Sequence, residues 1–164
     1  MTACALPAPA TLLLPAIPYD PWRDASQNWP HVQVVIERMA GDLLGEVRDG
    51  GQLIALRAGT SDAQRRCTLT HELVHLERGL LECGQWSRRD ELLVHNEVAR
   101  RLIPLGVLAA AIRASGTAED LPTLAQSLDV DTETLQLRFT RLDRSERRLL
   151  RRSLILQAPL WDVA

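Results

Sequence analysis

The spacing of hydrophobic residues changes near Ser61, and this change constrains the fold class more than any other feature. Before it, HVQVVIERM (31–39) and GQLIALRAG (51–59) are rich in branched aliphatic residues, as strands are. After it, apolar residues recur about every 3.6 positions, which indicates helices. The chain is therefore predicted to be an α+β protein, with a small sheet packed on helices and a helical C-terminal region.

A tight hairpin turn is predicted at Asp49-Gly50-Gly51, between strands at 44–48 and 52–57. Because a hairpin pairs its strands in opposite directions, we expect a mostly antiparallel sheet. Residues 1–18 contain four prolines, which fix φ and remove hydrogen-bond donors. An extended or disordered arm is predicted there.

Length and charge restrict the classes of protein that remain. A chain of 164 residues, 46% of them hydrophobic, has the size of one domain with a real core. We expect a core at 19–115 and a helical region at 116–164. A net charge of -2 gives no general reason to bind nucleic acid or anionic membranes, and no apolar run approaches the roughly 20 residues of a membrane span. Three cysteines and an N-terminus without a basic start predict a cytoplasmic protein with reduced thiols.

The segment SDAQRRCTLTHELVHLERG (61–79) is predicted to form one helix, capped by Ser61 or Asp62 and ended by Gly79. Positions four residues apart lie on one helix face, so the imidazoles of His71 and His75 can converge on one metal ion. Glu72 is turned away by about 100°. It can instead act as a general base that takes a proton from a water attacking a carbonyl.

A lone His-Glu-x-x-His match can also arise by chance on an ordinary helix. Three features of the context favour a metal site in this chain. The match lies in an amphipathic helix, it follows a β-hairpin, and it precedes a second predicted helix with acidic residues, RRDELLVHNEVARRLIP (88–104).

Two stretches, RRCTLTHELVHLERG and ELLVHNEVARRLIP, together resemble the ImmA/IrrE family of zinc metallopeptidases. PYDPW, LLGEVRDGGQLIAL and LAQSLDVDTETLQLRFTRL are similar to the compact actinobacterial phage branch of that family, so the resemblance covers nearly the whole chain. It implies a zinc-dependent endopeptidase that cleaves a helix-turn-helix repressor of the same phage or mobile element. Its location would then be the cytoplasm of the host cell.

The resemblance also implies a site, with zinc held by His71, His75 and Glu91 and with Glu72 as general base. Many relatives have a Glu-x-x-Ala-Asn pattern in the second helix, where this chain has Glu91, two leucines, Val94 and His95. This departure affects the surroundings of the metal more than its ligands. We expect His95 to orient a ligand or to contact substrate.

Four residues of the second helix could supply the third ligand: Asp90, Glu91, His95 and Glu97. The helix face that starts at Glu97 reaches two arginines, which would repel a cation. The face that starts at Asp90 also carries Glu97, a second acid that would need a partner of its own. The face that starts at Glu91 is otherwise mostly apolar and is the one expected to point inward; it contains Val94, His95, Val98 and Leu102.

Other candidate residues have ordinary structural interpretations. Cys67 could bind zinc, although a small buried side chain is the favoured interpretation. The Tyr19 phenol could polarise a substrate carbonyl, although packing against Trp22 is the favoured interpretation. His31 is expected at the surface. The tryptophans are expected in the core or a lid, at Trp22, Trp29, Trp86 and Trp161.

The C-terminal segment supplies the alternative hypothesis of a DNA-binding regulator or interaction module. LAQSLDVDTETLQLRF has the spacing of a helix-turn-helix, and seven arginines follow between residues 138 and 152, against Asp143 and Glu146. Asp131 and Glu133 open the second of these helices, where phosphates would be met, and so disfavour direct DNA binding. The expected partner is a protein substrate, held as an added strand at the hairpin edge near 52–57.

Overall fold

The fold is known from a computed structural model that describes residues 18–79, 87–116 and 120–155. The predicted N-terminal arm lies outside these residues except for Pro18. The α+β class is confirmed. In chain order the elements are α1 (Pro21–Asn28), β1 (Gln33–Glu37), β2 (Gly45–Arg48), β3 (Leu53–Arg57), α2 (Asp62–Glu77), α3 (Arg88–Leu102), α4 (Leu105–Ser115), α5 (Leu121–Ser127), α6 (Thr132–Thr140) and α7 (Arg144–Ile155).

The sheet is mixed, so the expectation of a mostly antiparallel sheet was wrong. Its order is β1-β3-β2, with β3 antiparallel to β2 and parallel to β1. The hairpin turn is confirmed at Asp49–Gly51, where Asp49 and Gly50 have φ of 53° and 62°. After β1 the chain leaves one strand position empty and forms β2 on its far side. The hairpin then places β3 in the empty position, between β1 and β2. The fully buried run Ile54, Ala55 and Leu56 is suited to that central position.

Helix α2 lies between two hydrophobic clusters. Ser61 and Gln64 form a capping box at its N-terminus. Leu69 and Leu73 pack into a cluster with the sheet and α1, whereas Val74 belongs to a second cluster formed with the C-terminal helices. Because apolar contacts cover both sides of α2, the polar residues along it are buried as well.

Helix α1 was not predicted. Asp20 caps it by accepting hydrogen bonds from the backbone N–H groups of Trp22 and Arg23, at 3.0 and 3.2 Å, and Pro21 occupies its first position. An Asp-Pro pair is a helix-start signal that the sequence carried. Trp22 on this helix is 42% exposed, which excludes the core from the two expected places, a core or a lid.

The C-terminal helices pack on α3 and α4 around a buried cation. Arg138 on α6 is 2% exposed and donates to the carbonyl of Ile103 and, through two nitrogens, to the carboxylate of Glu146 on α7. One of the seven arginines counted toward DNA binding is thus structural. None of the helices in the described ranges combines the length and hydropathy needed to cross a bilayer.

Candidate metal centre

Helix α2 brings two histidines together at the middle of its buried face. The Nε2 atoms of His71 and His75 lie 2.8 Å apart, and the ring centroids are 4.5 Å apart. His75 is 3% exposed. Two imidazole nitrogens that point at one place on a rigid helix form half of a metal site.

Helix α3 adds a carboxylate. Glu91 Oε2 lies 3.5 Å from His71 Nε2, and Glu91 Oε1 lies 3.5 Å from His75 Nε2. Ligand atoms about 2.0–2.2 Å from a tetrahedral zinc ion are separated by roughly 3.3 Å, close to these spacings. All three ligand atoms lie within 4.8 Å of one another. This group could therefore hold a metal ion.

Both histidines are held in their neutral form. Burial lowers the pKa of His71 to about 3, with further lowering by the charges of His75 and His95. Burial likewise lowers the pKa of His75 to about 4, with smaller contributions from His95 and Arg78. A neutral imidazole keeps the nitrogen lone pair that metal binding requires.

Glu72 lies beside the three ligands and is 6% exposed. Burial, together with the smaller effect of the Glu91 and Glu46 carboxylates, raises its pKa to about 8. No described residue donates a hydrogen bond to its carboxyl group. The backbone of β2 approaches it closely: a Cβ added at Gly45 would lie 3.2 Å from Glu72 Oε1 and would overlap the Thr68 methyl group. Only glycine fits between β2 and α2 there.

The other acids of α3 are engaged elsewhere. Asp90 forms a capping box with Ser87, which lowers the pKa of Asp90 through its hydrogen bonds to the Ser87 side chain and backbone. Glu97 accepts from Arg101 Nε at 2.8 Å, and Arg101 also donates to both carboxylate oxygens of Glu77 on α2. The Arg101–Glu77 pair joins α3 to α2, whereas the Arg101–Glu97 pair lies within α3 and holds Glu97 outside the site.

His95 lies at the open side of the site. Its ring centroid is 4.7 Å from that of His71, and its Nε2 lies 3.8 Å from Glu91 Oε2, beyond hydrogen-bond distance. Its side chain is 49% exposed. The geometry is compatible with the expected contact to a ligand or to substrate, which stays a prediction.

The site opens into a cleft of about 680 Å³. Residues 42–47, α2 and α3 form three of its sides. The fourth is α6, through Asp131, Glu133, Thr134 and Leu137. The sequence predicted α6 as a helix but gave no signal of its place, because its contacts with α3 join residues distant in the chain.

The structure excludes one alternative role at the site and contradicts one expectation. Tyr19 does not line the cleft: its hydroxyl donates to Asp24, and the Arg101 guanidinium lies 6.0 Å from its ring centre. Strand β3 offers no free edge at 52–57, because it pairs with β1 on one side and β2 on the other. The strand beside the cleft is β2.

Two single-residue expectations are confirmed. His31 is exposed, and Cys67 is 5% exposed, with its pKa raised to about 12, chiefly by burial. Cys67 borders the cleft but is not part of the ligand group. Trp29 packs against the sheet cluster, while Trp86 and Trp161 lie outside the described residues.

The possible metal site is thus defined by the geometry of one helix pair. His71 and His75 come from α2 and Glu91 comes from α3. Comparison with models of known protein families and with curated proteins finds no match for this chain.

Proposed function

We propose that the protein is a zinc-dependent metalloendopeptidase in which His71, His75 and Glu91 hold the metal and Glu72 is the general base. The observation that carries this proposal is Glu72 itself, a residue 6% exposed that lines the same cleft as the three converging ligand atoms and whose carboxyl group accepts no hydrogen bond from the described residues. Structural zinc sites use four protein ligands, whereas catalytic sites use three and leave a position open.

Two imidazoles and one carboxylate are a ligand set suited to zinc. When bound, a zinc ion supplies Lewis acidity, which polarises a carbonyl group and lowers the pKa of water. Burial makes ionised Glu72 a strong base, and a nearby cation favours its ionised form. Its carboxylate then takes a proton from the attacking water and passes it to the amine that leaves when the peptide bond breaks.

The free edge of β2 is the proposed place for an extended substrate segment. In the antiparallel register with β3, Glu46 lies opposite Ala55 and Leu44 accepts a hydrogen bond from Arg57. Alternation along the strand therefore turns the backbone groups of Gly45 and Val47 toward the edge that β3 does not use. A peptide added there as a strand would run past Glu72.

The proposed substrate is a helix-turn-helix repressor of the same phage or mobile element, and it follows from the family resemblance alone. The place of α6 supports the peptidase over the DNA-binding alternative. Asp131 and Glu133 at its N-terminus line the cleft, and Arg138 is buried in an ion pair. The acids at the N-terminus of α6 would repel DNA phosphates, and the ion pair of Arg138 leaves it unavailable to contact them.

The proposal is tested with the purified protein and the repressor encoded nearest to its gene. We expect about one zinc ion per chain and cleavage of the repressor on co-expression. Glu72→Gln should keep the zinc and lose about 10²–10⁴-fold in activity, since an amide cannot accept the proton. Glu97→Gln, the same change outside the cleft, should retain both.

Cleavage at the wild-type rate by Glu72→Gln would contradict the mechanism. A protein without zinc that binds a defined DNA duplex with a steep salt dependence would instead support the regulator hypothesis.

A further inference from the structure

Acidic and basic residues are unequally distributed around the cleft. The chain has 19 arginines and 21 acidic residues, and every arginine lies within the described ranges. No arginine lines the cleft, whereas six acids do: Asp42, Glu46, Glu72, Glu91, Asp131 and Glu133. With nearly equal numbers of the two charges, this separation makes the cleft far more negative than the protein as a whole.

The site and the fold account for four of these acids. Glu72 and Glu91 belong to the metal centre. Glu46 pairs with Arg48, and Asp131 caps α6 by accepting from the N–H of Thr134 at 2.7 Å. The remaining two are exposed and form no ion pair among the described residues, Asp42 before β2 and Glu133 on α6. They lie on different sides of the same cleft.

Apolar side chains border the same cleft. Leu43, Leu44 and Leu92 are 46%, 41% and 44% exposed, and all three line it. Large exposed leucines beside a concave surface are typical of a binding site. Glu72 also lines the cleft and is only 6% exposed, and no described residue donates a hydrogen bond to its carboxyl group. A polar side chain of this kind, open only to the cleft, marks a place where a ligand binds.

We propose that the cleft selects a substrate segment in which an arginine or lysine stands among aliphatic residues near the scissile bond, and that Asp42 and Glu133 determine this preference. A concave site with low-dielectric walls concentrates the field of its charges, so two unpaired carboxylates attract a basic side chain more strongly than they would on an open surface. The leucines contact the aliphatic neighbours. This inference rests on the proposed peptidase function.

The test measures binding to zinc-loaded Glu72→Gln protein, which should hold a peptide without cutting it. Two fluorescein-labelled nonapeptides serve as probes, one alternating leucine with arginine and the other leucine with glutamate. We expect the arginine peptide to bind at least about tenfold more tightly at roughly 0.15 M salt. Adding Asp42→Asn and Glu133→Gln together should remove most of that difference.

The control is a second pair of neutralised acids, Asp49→Asn with Asp62→Asn. Both residues are exposed and outside the cleft, and asparagine tolerates the positive φ of 53° at position 49. The net charge changes equally in the two double variants. The control pair should therefore leave the preference for the arginine peptide unchanged within about twofold.

Equal binding of the two peptides, or equal loss of preference in both double variants, would overturn the inference. If repressor cleavage depends on Glu72 but the charge of the peptide has no effect on binding, only this inference is overturned. A protein with neither zinc nor cleavage would overturn the proposed function and this inference with it.

Discussion

The two helices that form the metal centre hold their residues very differently. On α2, the His75 side chain is 4% exposed and lies between two hydrophobic clusters. On α3, the side chains of Glu91 and His95 are 33% and 49% exposed. Core packing therefore fixes the α2 ligands, while the Arg101 ion-pair network and the helix crossing place the α3 residues. We expect α2 to determine whether metal binds, and α3 to adjust how the site works.

The largest effects should come from the ligands. His75→Ala should lower zinc affinity more than about a hundredfold, since even residues that only orient ligands contribute 10–100-fold. Glu91→Ala should also weaken binding, by roughly tenfold or more, because its exposed carboxylate can be replaced by water. Titration against a competing chelator measures both.

Asp90→Ala and Glu97→Ala are the matched controls for Glu91→Ala, because both acids lie on α3 with partners outside the site. Each should leave zinc affinity within about threefold of the wild type. Full zinc occupancy of Glu91→Ala in the presence of the chelator would show that the third ligand is misassigned.

A substitution at Gly45 tests whether the site requires the close approach of β2 to α2. Gly45→Ala places a methyl group against Thr68 and Glu72, so β2 or the Glu72 carboxyl has to shift. Overpacking of this kind costs about 1–3 kcal/mol, and activity should fall even where the protein stays folded. Urea unfolding and repressor cleavage are the measurements. Gly41→Ala, where the added Cβ meets nothing within 4 Å but φ is positive at 63°, measures the cost of backbone strain alone, which Gly45 does not have.

Acid should weaken the ion pair that joins α6 to α7. Hydrogen bonds from Arg138 lower the pKa of Glu146 below its ordinary value of 4.5. Because the folded-state pKa is the lower one, the stabilisation is complete above about pH 4.5 and is lost as the pH falls through the folded-state value. Glu146→Gln should reduce the free energy of unfolding at pH 7 by about 1–2 kcal/mol.

The matching measurement is urea unfolding at pH 7, 5 and 3. Between pH 5 and 3, Glu146→Gln should lose less stability than the wild type, because the glutamine cannot be protonated in that range. Parallel pH curves for the two proteins would contradict the assigned role of this ion pair.

His95→Ala should change metal binding less than the loss of either His75 or Glu91. Because His95 Nε2 is 3.8 Å from Glu91 and the ring is half exposed, zinc affinity should change by less than about tenfold. Activity should fall by roughly tenfold, or about 1.4 kcal/mol in transition-state stabilisation. His95→Asn, which keeps a side-chain donor, should recover part of the activity; a loss of zinc equal to that of Glu91→Ala would make His95 a ligand instead.

The sequence predicted the α2 part of the site because a spacing of four residues within one helix fixes the relation of two side chains. It also predicted the helix boundaries closely, since Ser61, Ser87 and Asp131 are capping residues. Glu91 was predicted from the pattern of its helix face and from family resemblance, and the structure places it beside both histidines.

What the sequence did not predict depends on contacts between distant segments. The central position of β3 in the sheet was not predicted. The alternation of apolar and polar residues shows which face of a strand is buried, but it does not show which strands pair with each other. The close approach at Gly45 and the place of α6 beside the cleft likewise arise from packing between elements. The one available signal for the close approach was that a glycine, Gly45, lies within the predicted strand 44–48.

The guanidinium of Arg66 has a consequence for any attempt to shorten the chain. From α2 it donates to the carbonyls of Tyr19, Leu128 and Asp129, and so joins the start of the described chain to the turn between α5 and α6. A truncation before α5 would leave a part-buried cation without two of its three acceptors and would uncover Val74. The C-terminal helices are therefore not an exchangeable module, and fusion or deletion variants of this protein should keep them.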